Sequence, residues 1–147
     1  MLTESQRYDY VKDVCIDIED LFPTLPADVI AFIACQFALE SNYGTSSLAK
    51  IQRNHCGMRN PMVRPSTSLV RGDGTQQFAA YRSRLDCIID YFLCITFQKP
   101  FAKVIENLDM YKTFIGKFYC PEKGYIDRIN KIYQQFKTQR NERRKSD

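Results

Sequence analysis

A nearly uninterrupted apolar segment in the first third of the chain constrains the fold most. Residues 29–39 read VIAFIACQFAL and contain one polar side chain, Gln36, before the charged Glu40. The segment is shorter than the roughly 18 apolar residues that suggest a membrane span. A helix that is apolar on nearly every side is typical of the centre of a helical domain. We therefore predict a helix from Pro26 to about Glu40, with Gln36 and Glu40 one turn apart on one face.

The rest of the chain favours further helices and one β-hairpin. Apolar residues recur at three- and four-residue steps between residues 3 and 21 and again after Pro121, which is the helical period. Ser83 and Asp86 resemble a capping box in front of a third apolar run. Between residues 60 and 81, two strand-like runs flank a GDG turn, a pattern that predicts a hairpin. The predicted fold class is mainly α (α+β), a helical domain with one inserted β-hairpin.

Length and charge favour one folded domain followed by a basic tail. The 147 residues are 44% hydrophobic and 26% charged, a composition typical of a globular domain. The net charge is +4, and residues 137–147 supply +3 of it from five basic and two acidic side chains. We predict a single domain over residues 1–136 and a basic C-terminal tail over 137–147. The tail is either a solvated terminus or a contact for an anionic partner such as nucleic acid or cell wall.

The amino terminus and the cysteines bear on where the protein acts. The first residues alternate acidic and apolar side chains and lack the pattern of a secretory signal. We expect a chain made in the cytoplasm that reaches its site of action by another route. The six cysteines form no CxxC motif, and His55 is the only histidine. We therefore expect mostly buried thiols and no metal site. A His55–Cys56 nucleophile pair is the less favoured alternative, because sequence neighbours rarely point at one another.

Glu40 occupies an unusual position for a carboxylate. It ends an apolar helix, where the helix dipole and apolar surroundings would both disfavour the charged form and raise its pKa. Glycoside hydrolysis requires a carboxylic acid that stays protonated near neutral pH, because the leaving oxygen must receive a proton. The alternative is a side chain that points into water at a frayed helix end.

Four segments, taken in order, indicate a family. They read FALESNYGTSSLAK, NHCGMR, FAAYRSRLDCIIDY and YCPEKGYIDRINKIYQQF. Together they resemble the peptidoglycan N-acetylglucosaminidases of glycoside hydrolase family 73, in which a glutamate follows an apolar helix and begins the pattern E-S-x-x-G-x-S-x-L-A. The resemblance covers roughly residues 26–136 and implies a lysozyme-like fold without a cofactor. It implies hydrolysis of the β-1,4 bond after N-acetylglucosamine in peptidoglycan, with Glu40 as the general acid.

The same resemblance suggests further site residues. In addition to Glu40, the predicted catalytic residues are Asp73 and Tyr119. The predicted substrate-binding residues are Gln36, Asn54, Tyr81 and Tyr125. The chain departs from the family pattern at Met58 and Arg59 and at Pro121 and Glu122, which weakens the match around Asn54 and Tyr119. Asp73 is either a catalytic carboxylate or a turn former. If it is not catalytic, the N-acetyl group of the substrate could attack the anomeric carbon instead.

Two rival functions are compatible with the same residues. A muramidase or lytic transglycosylase would use the same glutamate, and a non-catalytic wall-binding or virion structural protein would keep only the fold. We expect peptidoglycan glycan strands as the partner, no specific nucleic acid, no membrane insertion, and a monomer. Phage-borne delivery would explain how a chain without a secretory signal reaches the cell wall.

Overall fold

The computed structural model describes residues 1–72, 77–97 and 103–146, apart from the side chains of Val104 and Phe118. The described chain is mainly helical. Its elements are α1 (Glu4–Leu21), α2 (Ala27–Ser41), α3 (Ser47–Gln52), α4 (Arg84–Phe97), a 3₁₀ turn (Val104–Glu106), α5 (Leu108–Phe114), a π-helical turn (Ile115–Tyr119) and α6 (Tyr125–Ser146). None of the helices in these ranges has the length and apolar content needed to cross a membrane.

The chain divides into two compact units. The first unit consists of Met1–Leu39 and Val104–Asp147, and the second consists of Glu40–Lys103. Helix α2 therefore supplies its long apolar part to the first unit and its last two residues, Glu40 and Ser41, to the second.

The first unit is built on the apolar helix predicted from the sequence. All ten residues from 29 to 38 in α2 are at most 6% exposed, including Gln36. Helix α1 starts with a capping box, in which the Thr3 hydroxyl accepts a hydrogen bond from the Gln6 backbone N–H at 3.1 Å and the Gln6 side chain accepts one from Thr3 at 2.9 Å. These reciprocal bonds satisfy amides that a helix start leaves unpaired.

The basic segment after residue 136 continues α6 as far as Ser146. The Arg143 guanidinium lies 3.9 Å from the centre of the Tyr8 ring and donates a hydrogen bond to the Ser5 hydroxyl at 3.2 Å. It also lies 3.7 Å from an Asp9 carboxylate oxygen. These contacts therefore hold the last turns of α6 against α1.

The second unit begins with a tight turn after α2. Asn42, Tyr43 and Gly44 have left-handed φ angles of 47°, 55° and 79° in succession. The Ser41 hydroxyl accepts a hydrogen bond from the Gly44 N–H at 2.8 Å. Ser46 then caps α3 by accepting from the Ala49 N–H at 3.2 Å. The turn fixes the direction in which the chain leaves Glu40.

The described part of residues 60–81 lacks the two strands of the predicted hairpin. Its β pairing is an isolated antiparallel bridge between Arg59 and Phe78. The polar side chains of the predicted strands bind backbone instead: the Ser68 hydroxyl donates to the Val70 carbonyl at 2.7 Å and the Thr67 hydroxyl to the Asp86 carbonyl at 2.6 Å. Such side-chain bonds compete with strand pairing. Asp73, in the predicted turn, lies outside the described residues.

Candidate functional site

Glu40 lies two residues after the buried run 29–38 of α2, and the buried Ser41 follows it. Ala38 is fully buried, Leu39 is half-buried and Glu40 is exposed. The apolar surroundings expected for this carboxylate therefore stop before it. The side chain is reachable from solvent, while the helix that carries it is anchored by core residues.

Gly57 lies beside the Glu40 carboxylate. Its φ is +69°, a left-handed value that favours glycine, and a Cβ atom built there would lie 3.5 Å from Oε2 of Glu40. Glycine therefore satisfies the backbone conformation and adds no side chain of its own beside the carboxylate.

Asn54 holds the segment that carries Gly57. It is 1% exposed. Its Nδ2 donates to the carbonyls of Met58 at 2.8 Å and Ala79 at 2.9 Å, and its Oδ1 accepts from the Met58 N–H at 3.1 Å. Because these bonds close the loop from Asn54 to Met58 and tie it to residue 79, Asn54 fixes where Gly57 lies.

Tyr81 belongs to a buried polar network that the sequence interpretation missed. Its hydroxyl donates to Oδ2 of Asp90 at 2.5 Å, and Arg64 donates two hydrogen bonds to the same carboxylate at 2.7 and 3.1 Å. Burial alone would raise the pKa of Asp90, but hydrogen bonds from Arg64, Tyr81 and Ser66 outweigh it and hold that pKa below its ordinary value. Asp90 is therefore charged and paired inside the second unit.

One sequence signal could have identified half of this network. Asp90 interrupts the run CIIDYFLCI, and a carboxylate amid apolar helix residues is rarely buried without a partner. Its partner Arg64 lies 26 residues away in an irregular segment, where no local pattern marks it.

The surroundings of His55 and Cys56 do not suit a thiol nucleophile. Burial and a hydrogen bond with Cys87 raise the pKa of Cys56 well above its ordinary value. Burial, assisted by the charge of Arg84, lowers the pKa of His55 to about 4. At neutral pH the thiol is protonated and the imidazole is neutral, whereas a nucleophilic cysteine needs a thiolate.

The remaining predicted residues lie in the first unit. Gln36 is fully buried, and its Oε1 accepts a hydrogen bond from the Tyr111 hydroxyl at 2.5 Å. Tyr125 is 2% exposed at the start of α6, and Tyr119 is half-buried at the end of the π-helical turn. The structure thus places Glu40, Asn54 and Tyr81 in one unit and Gln36, Tyr119 and Tyr125 in the other. Among the described residues, no three His, Cys, Asp or Glu side chains cluster as metal ligands would.

Comparison with known sequences decides the family. A family model described as glucosaminidase, mannosyl-glycoprotein endo-beta-N-acetylglucosaminidase, matches residues 27–138. The chain belongs to the glucosaminidase family. This confirms the predicted membership of glycoside hydrolase family 73, and by this family match the chain is an enzyme, a peptidoglycan hydrolase. No curated protein sequence matches this glucosaminidase.

Two solved structures share the fold of the glucosaminidase. The catalytic domain of the autolysin Auto from Listeria monocytogenes is 16% identical, with a TM-score of 0.65 over 93% of this chain and 88% of that one. A chain of a type VI secretion system effector–immunity complex from Pseudomonas protegens is 17% identical, with a TM-score of 0.62 over 89% of this chain and 94% of that one. At these identities the likeness shows the fold alone, and it supports the predicted mainly helical architecture.

Proposed function

We propose that this glucosaminidase hydrolyses the β-1,4 bond after N-acetylglucosamine in peptidoglycan, with Glu40 as the general acid. The observation that carries the proposal is the placement of the carboxylate. Glu40 is exposed near the end of α2, whose residues 29–38 are buried, and Gly57 presents no side chain toward its Oε2. A proton donor needs this combination of a fixed backbone and an open approach.

The exposure of Glu40 is compatible with acid catalysis because the substrate can complete the surroundings. A sugar that covers the carboxyl group expels water and lowers the local dielectric, which favours the protonated form. The proton then passes from the Glu40 carboxyl to the glycosidic oxygen as the bond to the anomeric carbon breaks. Glu40 would be neutral when it is needed, although it is open to solvent without substrate.

The second unit offers few candidates for a second carboxylate. Its acidic residues besides Glu40 are Asp73, Asp86 and Asp90. The Asp90 carboxylate accepts hydrogen bonds from Arg64 and Tyr81. We therefore retain Asp73 as the proposed base or nucleophile. Asp73→Asn separates the mechanisms: a loss of activity as large as that of a Glu40 variant supports catalysis by Asp73, whereas retained activity favours attack by the substrate's own N-acetyl group.

The other predicted residues keep distinct proposed roles. Tyr119 is half-buried, and its proposed contribution is a hydroxyl and a ring for the sugar. Gln36, Asn54, Tyr81 and Tyr125 are at most 2% exposed. Their burial favours a supporting role, and their contact with glycan stays a prediction.

Glu40→Gln tests the proposed acid, because it preserves the side-chain shape and removes the transferable proton. We expect a folded protein whose clearing of purified peptidoglycan is at least about 100-fold slower than that of the parent. Glu106→Gln is the matched control, since Glu106 is an exposed glutamate in the first unit, and it should keep the parent rate. Clearing by the Glu40 variant at the parent rate would refute the assignment.

The released ends test the proposed bond. Mass spectrometry should find reducing N-acetylglucosamine termini after digestion by the parent. Reducing muramic acid ends would indicate a muramidase, and anhydro ends a lytic transglycosylase. A parent protein that binds peptidoglycan without cleaving it would contradict hydrolysis altogether.

A pair of glycine substitutions tests the open side of the carboxylate. Gly57 and Gly124 both have left-handed φ angles, +69° and +87°, but a Cβ at Gly124 would meet nothing within 4 Å. Alanine at either position should reduce stability by about 1–2 kcal/mol. Only Gly57→Ala places a methyl group against Glu40, so it should lower the clearing rate more than Gly124→Ala does. Equal rates in the two variants would show that this side of Glu40 is not used.

A further inference from the structure

Two buried cysteines of the second unit lie in direct contact. The Sγ atoms of Cys56 and Cys87 are 3.4 Å apart, and the two residues are 1% and 0% exposed. They are 31 positions apart in the sequence. Cys56 belongs to the loop that Asn54 closes, and Cys87 belongs to α4. The Cys87 sulfur also accepts a hydrogen bond from the His55 backbone N–H at 3.4 Å, so it contacts two successive residues of this loop.

We propose that Cys56 and Cys87 form a disulfide when the chain folds in an oxidising compartment. A disulfide bond is about 2.05 Å long, so the sulfur atoms must approach by roughly 1.4 Å. Rotation about the two Cα–Cβ bonds can supply much of this movement. Among the described residues, the pair belongs to no group of three or more His, Cys, Asp or Glu side chains that could hold a metal ion.

The choice of an oxidising compartment rests on the proposed function, whereas the linkage of the two sulfur atoms does not. Peptidoglycan lies outside the cytoplasmic membrane, where disulfides form and persist, and cytosolic thiols are kept reduced. The chain would thus keep two thiols if it folds in the cytoplasm and would carry the cross-link if it folds where its substrate is found.

The reaction balances with a small-molecule disulfide, such as oxidised glutathione, as the oxidant. One cysteine thiolate attacks a glutathione sulfur and releases a glutathione thiolate, which leaves a mixed disulfide on the protein. The second cysteine thiolate attacks the protein sulfur of that mixed disulfide and releases the second glutathione thiolate. The two protons lost by the cysteines protonate the released glutathione, and the two electrons lost by the thiols reduce its disulfide.

Burial determines when this exchange can occur. Neither sulfur is open to solvent in the folded chain, and burial raises the pKa of Cys56, so little reactive thiolate is presented. Oxidation should therefore be fast while the chain folds and slow once it has folded. The cross-link would join the loop beside Glu40 to α4 and restrict the movement of Gly57.

Refolding in a glutathione redox buffer tests the proposal directly. The full-length chain is unfolded with reductant, refolded with reduced and oxidised glutathione, alkylated, digested without reduction and analysed by mass spectrometry. We expect a linked peptide joining Cys56 to Cys87 and a melting temperature roughly 5 to 10 °C above that of the reduced protein. The inert Glu40→Gln variant should give the same linked peptide, so the result does not depend on activity.

Two sets of variants make the result specific. The Cys15→Ser/Cys35→Ser double variant removes two cysteines of the first unit and should retain the linked peptide and the rise in melting temperature. Cys56→Ser should lose both. If Cys56→Ser does not fold, the parent compared with and without reductant still decides the question. Alkylation of all six cysteines after oxidative refolding, or a linkage of Cys56 to a different cysteine, would overturn the proposal.

Discussion

His55 shows at the scale of one residue how burial controls ionisation. It is 8% exposed, and burial lowers its pKa from 6.5 to about 4. The folded state therefore binds fewer protons than the unfolded state between these values, and folding stability must decrease as the pH falls below about 6.5.

This linkage gives a measurable dependence on pH. His55 is the only histidine, so it dominates proton uptake on unfolding between pH 7 and pH 5. We expect the free energy of unfolding to fall by about 2 kcal/mol over this range, measured by urea denaturation at each pH. His55→Gln should remove the slope in this window. An unchanged slope in that variant would show that another group titrates there.

The residue scale also shows what the sequence could predict about the site. The position of Glu40 at the end of an apolar helix was readable, because helical periodicity and the E-S-x-x-G pattern are local. The exposure of Glu40 could not be read from the sequence, because burial depends on which segments pack nearby. The closeness of Gly57 to its carboxylate joins residues 17 positions apart, and no local pattern determines such a contact.

At the scale of elements, a buried ion pair holds the irregular segment of the second unit to α4. Asp90 on α4 is fully buried and the Arg64 side chain is 12% exposed. Removing one partner of such a pair leaves a charge without compensation, whereas replacing both by apolar side chains is often tolerated.

We expect Arg64→Leu to reduce the free energy of unfolding by about 3–5 kcal/mol, because it leaves the buried Asp90 carboxylate without its charged partner. The Arg64→Leu/Asp90→Leu double variant should recover much of the loss, although the Tyr81 hydroxyl then loses its acceptor. Arg128→Leu is the control, since Arg128 and Glu122 form an exposed pair at 3.3 Å, and it should cost less than about 1 kcal/mol. Chemical denaturation measures all three, and similar losses for Arg64→Leu and Arg128→Leu would contradict the role of burial.

The helices were predicted correctly from the sequence. The two predicted strands are absent from the described residues. The bounds of α1 and of the central helix α2 were predicted to within a residue or two, because a helix is stabilised by bonds within its own segment. The runs around residues 66–81 had strand-like composition, but strand pairing also requires a partner backbone. Ser68 and Thr67 bind backbone through their side chains, and the bridge forms instead at Arg59 and Phe78.

At the scale of the whole molecule, the last ten described residues are continuous with α6. Their five basic side chains and one acidic side chain give +4, equal to the net charge of the chain, and composition alone suggested a separate basic tail beginning at residue 137. Lys137 lies 4.4 Å from the Tyr133 ring centre, and Arg143 lies 3.9 Å from that of Tyr8. Such cation–aromatic contacts at partly exposed sites contribute modest stability.

Truncation after Phe136 tests whether the domain ends there. We expect the truncated chain to lose about 1–2 kcal/mol of unfolding free energy, because the contacts of Arg143 with α1 disappear. An Arg144→Gln/Lys145→Gln variant changes only exposed side chains and should unfold like the parent in urea. A truncated chain as stable as the parent would instead support an independent tail.

The burial of α2 has a consequence for how the enzyme tolerates motion. Backbone amides in the most deeply packed helix of a unit exchange with solvent hydrogen only when the surrounding structure opens cooperatively. Because Glu40 is attached to such a helix, fraying of surface segments leaves the backbone position of the proposed proton donor unchanged. Warming should therefore impair the delivery of substrate to the carboxyl group before it displaces the group itself.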